Sequence, residues 1–163
     1  MKVAVFIGSE SDFEVISGGI EILKEFGVSF ALEVTSAHRT PERTIKLVQE
    51  MENQGVEIFI AAAGMAAHLG GVVAAHTTRP VIGVPVGGQA LNGLDALLST
   101  VQMPKGVPVA CMGIGKSGAI NAALLTVQIL SLKDDKLAKK MHDYRKKQAA
   151  LIEKSSENIK KKL

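Results

Sequence analysis

Cysteine is all but missing from this chain: Cys111 is the only one in 163 residues, so no intrachain disulfide can form. It lies in the apolar run "GVPVACMGI", the setting of an inert buried thiol, and a lone cysteine fits a reducing cytoplasm. Aromatic residues are scarce, at 4%, and none interleave with basic side chains in the way a nucleic-acid surface requires. One Cys and four His give neither a ligand cluster nor a helical H-x-x-x-H pair, which excludes a metal centre of familiar spacing. No G-x-S-x-G elbow, Walker loop or G-x-G-x-x-G fingerprint is present. The apolar "VAVFIG" near the N-terminus is too short for a signal peptide and is followed at once by "SESD". One uncharged stretch, "IFIAAAGMAAHLGGVVAA" from Ile58 to Ala75, approaches membrane-spanning length. Gly64, His68, Gly70 and Gly71 break it, and it reads as a buried strand, a glycine-rich loop and a small-residue helix.

What is present is the composition of a globular domain, 47% hydrophobic and 21% charged. The length favours a single domain over residues 1–163, with an α/β core over 1–132 and a helical extension over 133–163. Charge is uneven. From Lys133 to Leu163 there are eleven Lys/Arg against five Asp/Glu, a net of +6, which leaves eight against eleven, or −3, for the rest. A basic tail without aromatic partners reads as the solvated face of an amphipathic helix, so neither nucleic acid nor membrane is expected as a partner.

Strand-like runs alternate with helix-length segments. The strands are "KVAVFIG" from Lys2, "VSFALEV" from Val28, "VEIFIAAA" from Val56, "PVIGVPV" from Pro80 and "GVPVACM" from Gly106. The helices are Phe13–Phe26, Pro41–Gln54, Ala66–His76, Leu91–Gln102 and Ser117–Leu130, with a long polar helix over Asp134–Lys162. Continuous apolar strands separated by helices predict a parallel sheet covered on both faces. Right-handed crossovers make it a three-layer, doubly wound, flavodoxin-like domain with strand order 2-1-3-4-5. Ligands then bind beyond the carboxyl ends of the strands, where the order reverses. The loops brought together there are "GSESD" (Gly8–Asp12), "SAHRT" (Ser36–Thr40) and "AGMAAHLGG" (Ala63–Gly71).

These loops carry chemically capable groups. Ser9 and Ser11 offer hydroxyls ahead of a helix whose free N–H groups favour an anion. Asp12 either caps that helix or accepts bonds from sugar hydroxyls. Arg39 is suited to clamp a phosphate bidentately, with Ser36 adding a hydroxyl. Thr40 is a good N-cap and Pro41 suits the first helical turn. His38, flanked by Ser and Arg, is the best proton carrier, since histidine exchanges protons near neutrality. His68 sits among small residues whose amides can face a ligand, while His76 and His142 look like helix-surface residues.

Taken together, "GSESD", "SAHRTPE", "AAHLGG", "RPVIGVPV", "LNGLDALLSTVQMPKGVPV" and "IGKSGAINAALL" resemble the N5-carboxyaminoimidazole ribonucleotide mutase family of purine biosynthesis. The likeness spans nearly all of residues 2–150. "SAHRTP" resembles the bacterial mutase branch, class I of the aminoimidazole ribonucleotide carboxylase family, rather than the sister branch that carboxylates aminoimidazole ribonucleotide directly. The resemblance implies a cytoplasmic isomerase that moves a carboxylate from an exocyclic nitrogen to ring C4. It implies a homo-octamer whose last helix reaches across to a neighbour, with no metal, nucleotide or organic cofactor. It implies that Ser9, Asp12, Ser36 and Arg39 hold the ribose phosphate and that His38 is general acid and base. The pocket for the imidazole and the migrating carboxylate would be lined by His68 and the amides of Gly64, Ala66, Ala67 and Leu69. The competing readings are the direct carboxylase and a non-catalytic flavodoxin-like nucleotide-binding module.

Met65 and Gly70 stand where the family loop carries Gly and Pro. A Met in place of a ligand-facing Gly is expected to keep a negative φ, with Gly70 supplying the freedom that a proline would deny. Gly88 and Ala96 stand where the family more often has Ser.

Overall fold

The computed structural model describes residues 1–88 and 90–162. Two compact units are distinguished, Met1–Thr126 and Val127–Leu163.

The first unit is built on five parallel strands: β1 (Val3–Ile7), β2 (Phe30–Val34), β3 (Ile58–Gly64), β4 (Val81–Val86) and β5 (Ala110–Cys111). Their order across the sheet is β2-β1-β3-β4-β5, the flavodoxin-like order. Val3 pairs with Phe30 on one side and Ile58 on the other, so β1 lies at the centre of the switch. The strands alternate with α1 (Phe13–Phe26), α2 (Pro41–Asn53), α3 (Leu69–Ala75), α4 (Leu94–Val101) and α5 (Lys116–Ser131), whose residues from Val127 on belong to the second unit. A 3-10 turn over Glu10–Asp12 leads into α1.

Burial explains the apolar runs. All five residues of β1 and all six of β4 are buried, as a sheet covered on both faces demands. α2 sends Leu47, Val48 and Met51, and α3 sends Leu69 and Val73, into one cluster with Phe6 and Phe59 of the central strands. The two phenyl rings meet edge to face, their centroids 5.7 Å apart, a preferred aromatic geometry. α1 buries Ile16, Ile20 and Leu23 on a 3.6-residue stripe and ends at Gly27, whose φ of 73° closes the helix in the left-handed region. Gly83 of β4 is required by close approach: a Cβ there would lie 2.4 Å from Thr100 Cγ2 on α4.

The fifth strand is shorter than its sequence predicts. The run from Gly106 contributes only Ala110–Cys111 to the sheet. It is an edge with one neighbour, and Pro108 has no N–H to donate to a ladder. Cys111 is half-buried, and burial pushes its thiol pKa up, which disfavours the reactive thiolate.

The second unit contains α6 (Asp135–Lys160). Asp134 caps it, its carboxylate accepting the amides of Lys136 and Leu137 at 3.0 and 3.1 Å. Met141 is its one buried residue, and Leu151, Ile152 and Ile159 are exposed. Among the described residues no helix is long and apolar enough to cross a membrane. The Ile58–Ala75 run resolves into β3, a loop and α3.

Candidate active site

The loops after β1, β2 and β3 converge, as the strand order requires, on one cavity of about 590 Å³. From the loop after β1 come Gly8, Ser9, Ser11 and Asp12; from the loop after β2, Ser36, His38 and Arg39. Gly64 ends β3 and Met65 and Ala66 follow it, and Val86, Gly87 and Gly88 close the remaining wall.

Arg39 is fixed before any ligand arrives. Its Nη2 donates to the Gly8 carbonyl at 2.9 Å and its Nε to Ser36 Oγ at 3.3 Å. The Arg39 amide also donates to Ser36 Oγ, at 3.2 Å. The guanidinium therefore spans the loops after β1 and β2, and Ser36 orients it. Ser11 Oγ donates to Ser9 Oγ at 3.0 Å, pairing the two hydroxyls beside it. The loop itself is held by hydroxyls. Buried Thr35 contacts Thr44 of α2 at 2.7 Å, and Thr40 Oγ1 accepts the Ser36 amide at 3.0 Å and donates to the Ser36 carbonyl at 3.2 Å. Thr40 occupies the N-cap position of α2 with Pro41 following, yet its side chain makes no cap bond. The hydroxyl is spent on the loop instead.

Asp12 is buried, at 8% exposure, and makes no side-chain cap bond to α1. Of its two expected roles, capping is thus absent. Burial raises its carboxyl pKa, partly offset by the Ser9 and Gly8 amides and the charge of Arg39. A buried carboxyl group lining the cavity is an acceptor for ligand hydroxyls.

His38 Nε2 and His68 Nδ1 lie 2.8 Å apart, with the rings nearly perpendicular at 79°. Only one proton fits between them. When His68 donates, neutral His38 carries its own proton on Nδ1; when His38 donates, its Nδ1 is bare. The bond links two tautomers, one an acid and one a base at the same atom. His68 itself does not line the cavity and reaches it through His38. Ala67 and Leu69 lie buried at 3% and 2% exposure, outside the lining. His76 is exposed, its Nδ1 2.9 Å from the Val72 carbonyl, and His142 is exposed on α6.

The expected backbone of the loop after β3 needs correction. Met65 has φ 56°, in the left-handed region, and 72% of it is exposed. Its predecessor Gly64 abuts Val86, a Cβ there falling 3.3 Å from the Val86 carbonyl oxygen. Gly64 is the last residue of β3 paired with β4, and the chain leaves the sheet at Met65, whose left-handed φ carries about 1–2 kcal/mol of steric cost. Gly70 does not compensate, because it lies buried within the first turn of α3 with no positive φ. Gly8, Met65, Val86, Gly87 and Gly88 were not singled out as site residues from sequence. The signal for the last three was the strand order, which sets β4 beside β3 at the same sheet end.

The chain matches the AIR carboxylase family over residues 2–150. The chain belongs to the AIR carboxylase family. Within this family it is 52% identical over 159 residues to the N5-carboxyaminoimidazole ribonucleotide mutase of Methanocaldococcus jannaschii, 97% of each chain being covered. It is 48% identical over 157 residues to the mutase of Bacillus subtilis, covering 96% of this chain and 97% of that one. The crystal structure of Treponema denticola PurE superposes with a TM-score of 0.86 at 30% identity, covering 95% of this chain and 96% of that one. In this AIR carboxylase family member, "SAHRTP" brings His38 and Arg39 to the cavity and "AAHL" sets His68 behind His38.

Proposed function

We propose that this chain is an isomerase of purine biosynthesis that converts N5-carboxyaminoimidazole ribonucleotide to its C4-carboxylated isomer. The observation that carries the reading is that a preset Arg39–Ser36 clamp and the His38–His68 pair open into one cavity, in a chain related along its length to mutases.

The substrate is an anionic ribonucleotide with a carbamate on its exocyclic nitrogen. Arg39, Ser36 and Ser9 hold the phosphate, with Ser11 supporting Ser9, and Asp12 accepts ribose hydroxyls. The imidazole lies toward Gly64, Ala66 and Gly87, where the lining is small. His38 gives a proton to the exocyclic nitrogen as its bond to the carboxylate carbon breaks, the electron pair staying on nitrogen and carbon dioxide departing. Ring C4 then attacks the carbon dioxide carbon. The C4 proton returns to His38, restoring aromaticity. Atoms and charge balance without an oxidant or reductant, so no cofactor is called for. His68 serves by accepting or returning the shared proton, which resets His38 between acid and base. Positioning and exclusion of water supply much of the remaining rate.

The test follows the ultraviolet change from carbamate substrate to ring-carboxylated product, with and without protein. Rapid conversion of the carbamate is expected. Turnover only of aminoimidazole ribonucleotide with bicarbonate would identify a direct carboxylase, and turnover of neither a binding module.

On this reading the protein works in the cytoplasm as a homo-octamer. The exposed Leu151, Ile152 and Ile159 of α6 support assembly, because apolar side chains at this density favour burial against another copy. Light scattering of a chain lacking Asp134–Leu163 should report a smaller mass. An unchanged octamer would remove α6 from the interface.

A further inference from the structure

The chain carries six methionines, one cysteine and no tryptophan, so the side chains that a mild oxidant attacks first can be compared one by one. Met51 and Met141 are buried, and Met103 and Met112 are half-buried. Cys111 is half-buried too, and its raised pKa keeps the thiolate scarce. Met1 is 39% exposed but precedes β1, at the sheet end opposite the cavity. Met65 is 72% exposed, by a wide margin the most open thioether. It is also the only sulfur among the described residues that line the cavity, a lining it shares with the proton carrier His38 and the clamp Arg39. The most accessible oxidisable atom of the subunit therefore lies in the wall of the site.

We propose that Met65 is a modification site at which peroxide reversibly weakens substrate binding. The sulfur lone pair attacks one peroxide oxygen, so that an S–O bond forms as the O–O bond breaks. Sulfur is oxidised by two electrons. The proton of the transferred oxygen passes to the departing hydroxide, which leaves as water. The product is a methionine sulfoxide, polar where the thioether was apolar, and its oxygen carries partial negative charge. The effect on substrate rests on the mutase reading, in which a phosphate and a carbamate carboxylate enter this cavity. A negative oxygen added to the wall repels them, while the bond between His38 and His68 is left in place. The loss therefore falls on KM more than on kcat. Methionine sulfoxide reductases remove the oxygen as water at the expense of a dithiol, which makes the change reversible.

The experiment treats the protein with dilute hydrogen peroxide, maps added oxygen on each methionine peptide by mass spectrometry, and measures carbamate turnover in parallel. Met65 should gain oxygen ahead of Met51, Met103, Met112 and Met141. KM should rise several-fold as the Met65 sulfoxide accumulates, and should return after treatment with the reductases for both sulfoxide epimers and dithiothreitol. Met65→Leu and Met65→Gly, each compared with itself before peroxide, should show no such rise. Oxidation of Met65 no faster than that of Met51 or Met141 would overturn the proposal by showing the thioether covered, as in a contact between copies. An unchanged KM at complete Met65 oxidation would overturn it as well, and so would an equal rise in Met65→Leu, which would move the effect to another residue. An untreated parent that forms no product from the carbamate overturns the mutase reading itself. The order of oxidation, read by mass alone, then decides the modification site separately.

Discussion

The two ends of the cavity are built on opposite principles. At one end, loops after β1 and β2 present side chains already bonded to each other: Arg39 to Gly8 and Ser36, Ser11 to Ser9. At the other, loops after β3 and β4 present mostly backbone, with Gly64, Ala66, Gly87 and Gly88. A charged group that is bound and released unchanged rewards fixed dipoles, because no reorganisation is needed on binding. A reacting ring needs close approach and little competing water, which small residues provide. His38 stands where the two designs meet.

The contrast can be broken most strongly at His38. His38→Asn should lower kcat by about 10²–10⁴-fold, the usual loss for general acid–base catalysis, and leave KM nearly unchanged. Near-normal turnover in steady-state kinetics would transfer the proton chemistry to His68. Arg39→Ala should act at the binding end, raising KM by roughly 10–150-fold, the equivalent of about 1.5–3 kcal/mol for a charge-assisted contact, while kcat falls less. An unchanged KM would place the phosphate elsewhere. Ser36→Ala removes one phosphate hydroxyl and the acceptor that orients Arg39 and should cost about 0.5–1.5 kcal/mol of substrate affinity by calorimetry. A loss as large as that of Arg39→Ala would rank Ser36 equal to the guanidinium as a phosphate ligand.

The smallest effect is expected from Asp12 and concerns pH. Burial raises its pKa above the ordinary carboxylate value, so the folded state holds its proton more tightly than the unfolded state. That stabilisation is full below the unfolded pKa and is lost as pH rises through the folded one. Thermal melts of the parent and Asp12→Asn between about pH 4 and pH 7 should show the variant gaining on the parent as pH rises. A constant difference would mean that the amides of Gly8 and Ser9 cancel the cost of burial.

The fold was largely legible because its signals are local and repeated. Mostly apolar strands alternating with helices specify a doubly wound sheet, and α1 has the bounds its pattern predicts. Strand β5 was overestimated because an apolar run reveals burial, not pairing, and the edge position and Pro108 limit the ladder. The polar lining of the cavity was legible from residue type: Ser, Arg and Asp in loops advertise their chemistry. The wall after β4 was not, since Gly87 and Gly88 act through the space they leave. Met65 was misjudged because a backbone torsion is set by how the chain leaves the sheet after its last ladder pair, Gly64 with Val86, and no single residue type records that. The His38–His68 bond joins positions 30 apart in sequence and emerges only when strand order sets their loops side by side.

The threonine hydroxyls around the loop after β2 have a consequence for timing. Thr35, Thr40 and Thr44 tie Ser36 to the end of β2 and the start of α2, so the ordering of this loop is settled when the chain folds rather than when substrate arrives. Encounter with substrate then need not wait for the loop to rearrange. In amide exchange, the Ser36 and Thr40 protons, bonded to Thr40 Oγ1 and the Ser36 carbonyl, should persist like those of an adjacent helix turn even without ligand. The segment would count kinetically as part of the scaffold, although by secondary structure it is a loop.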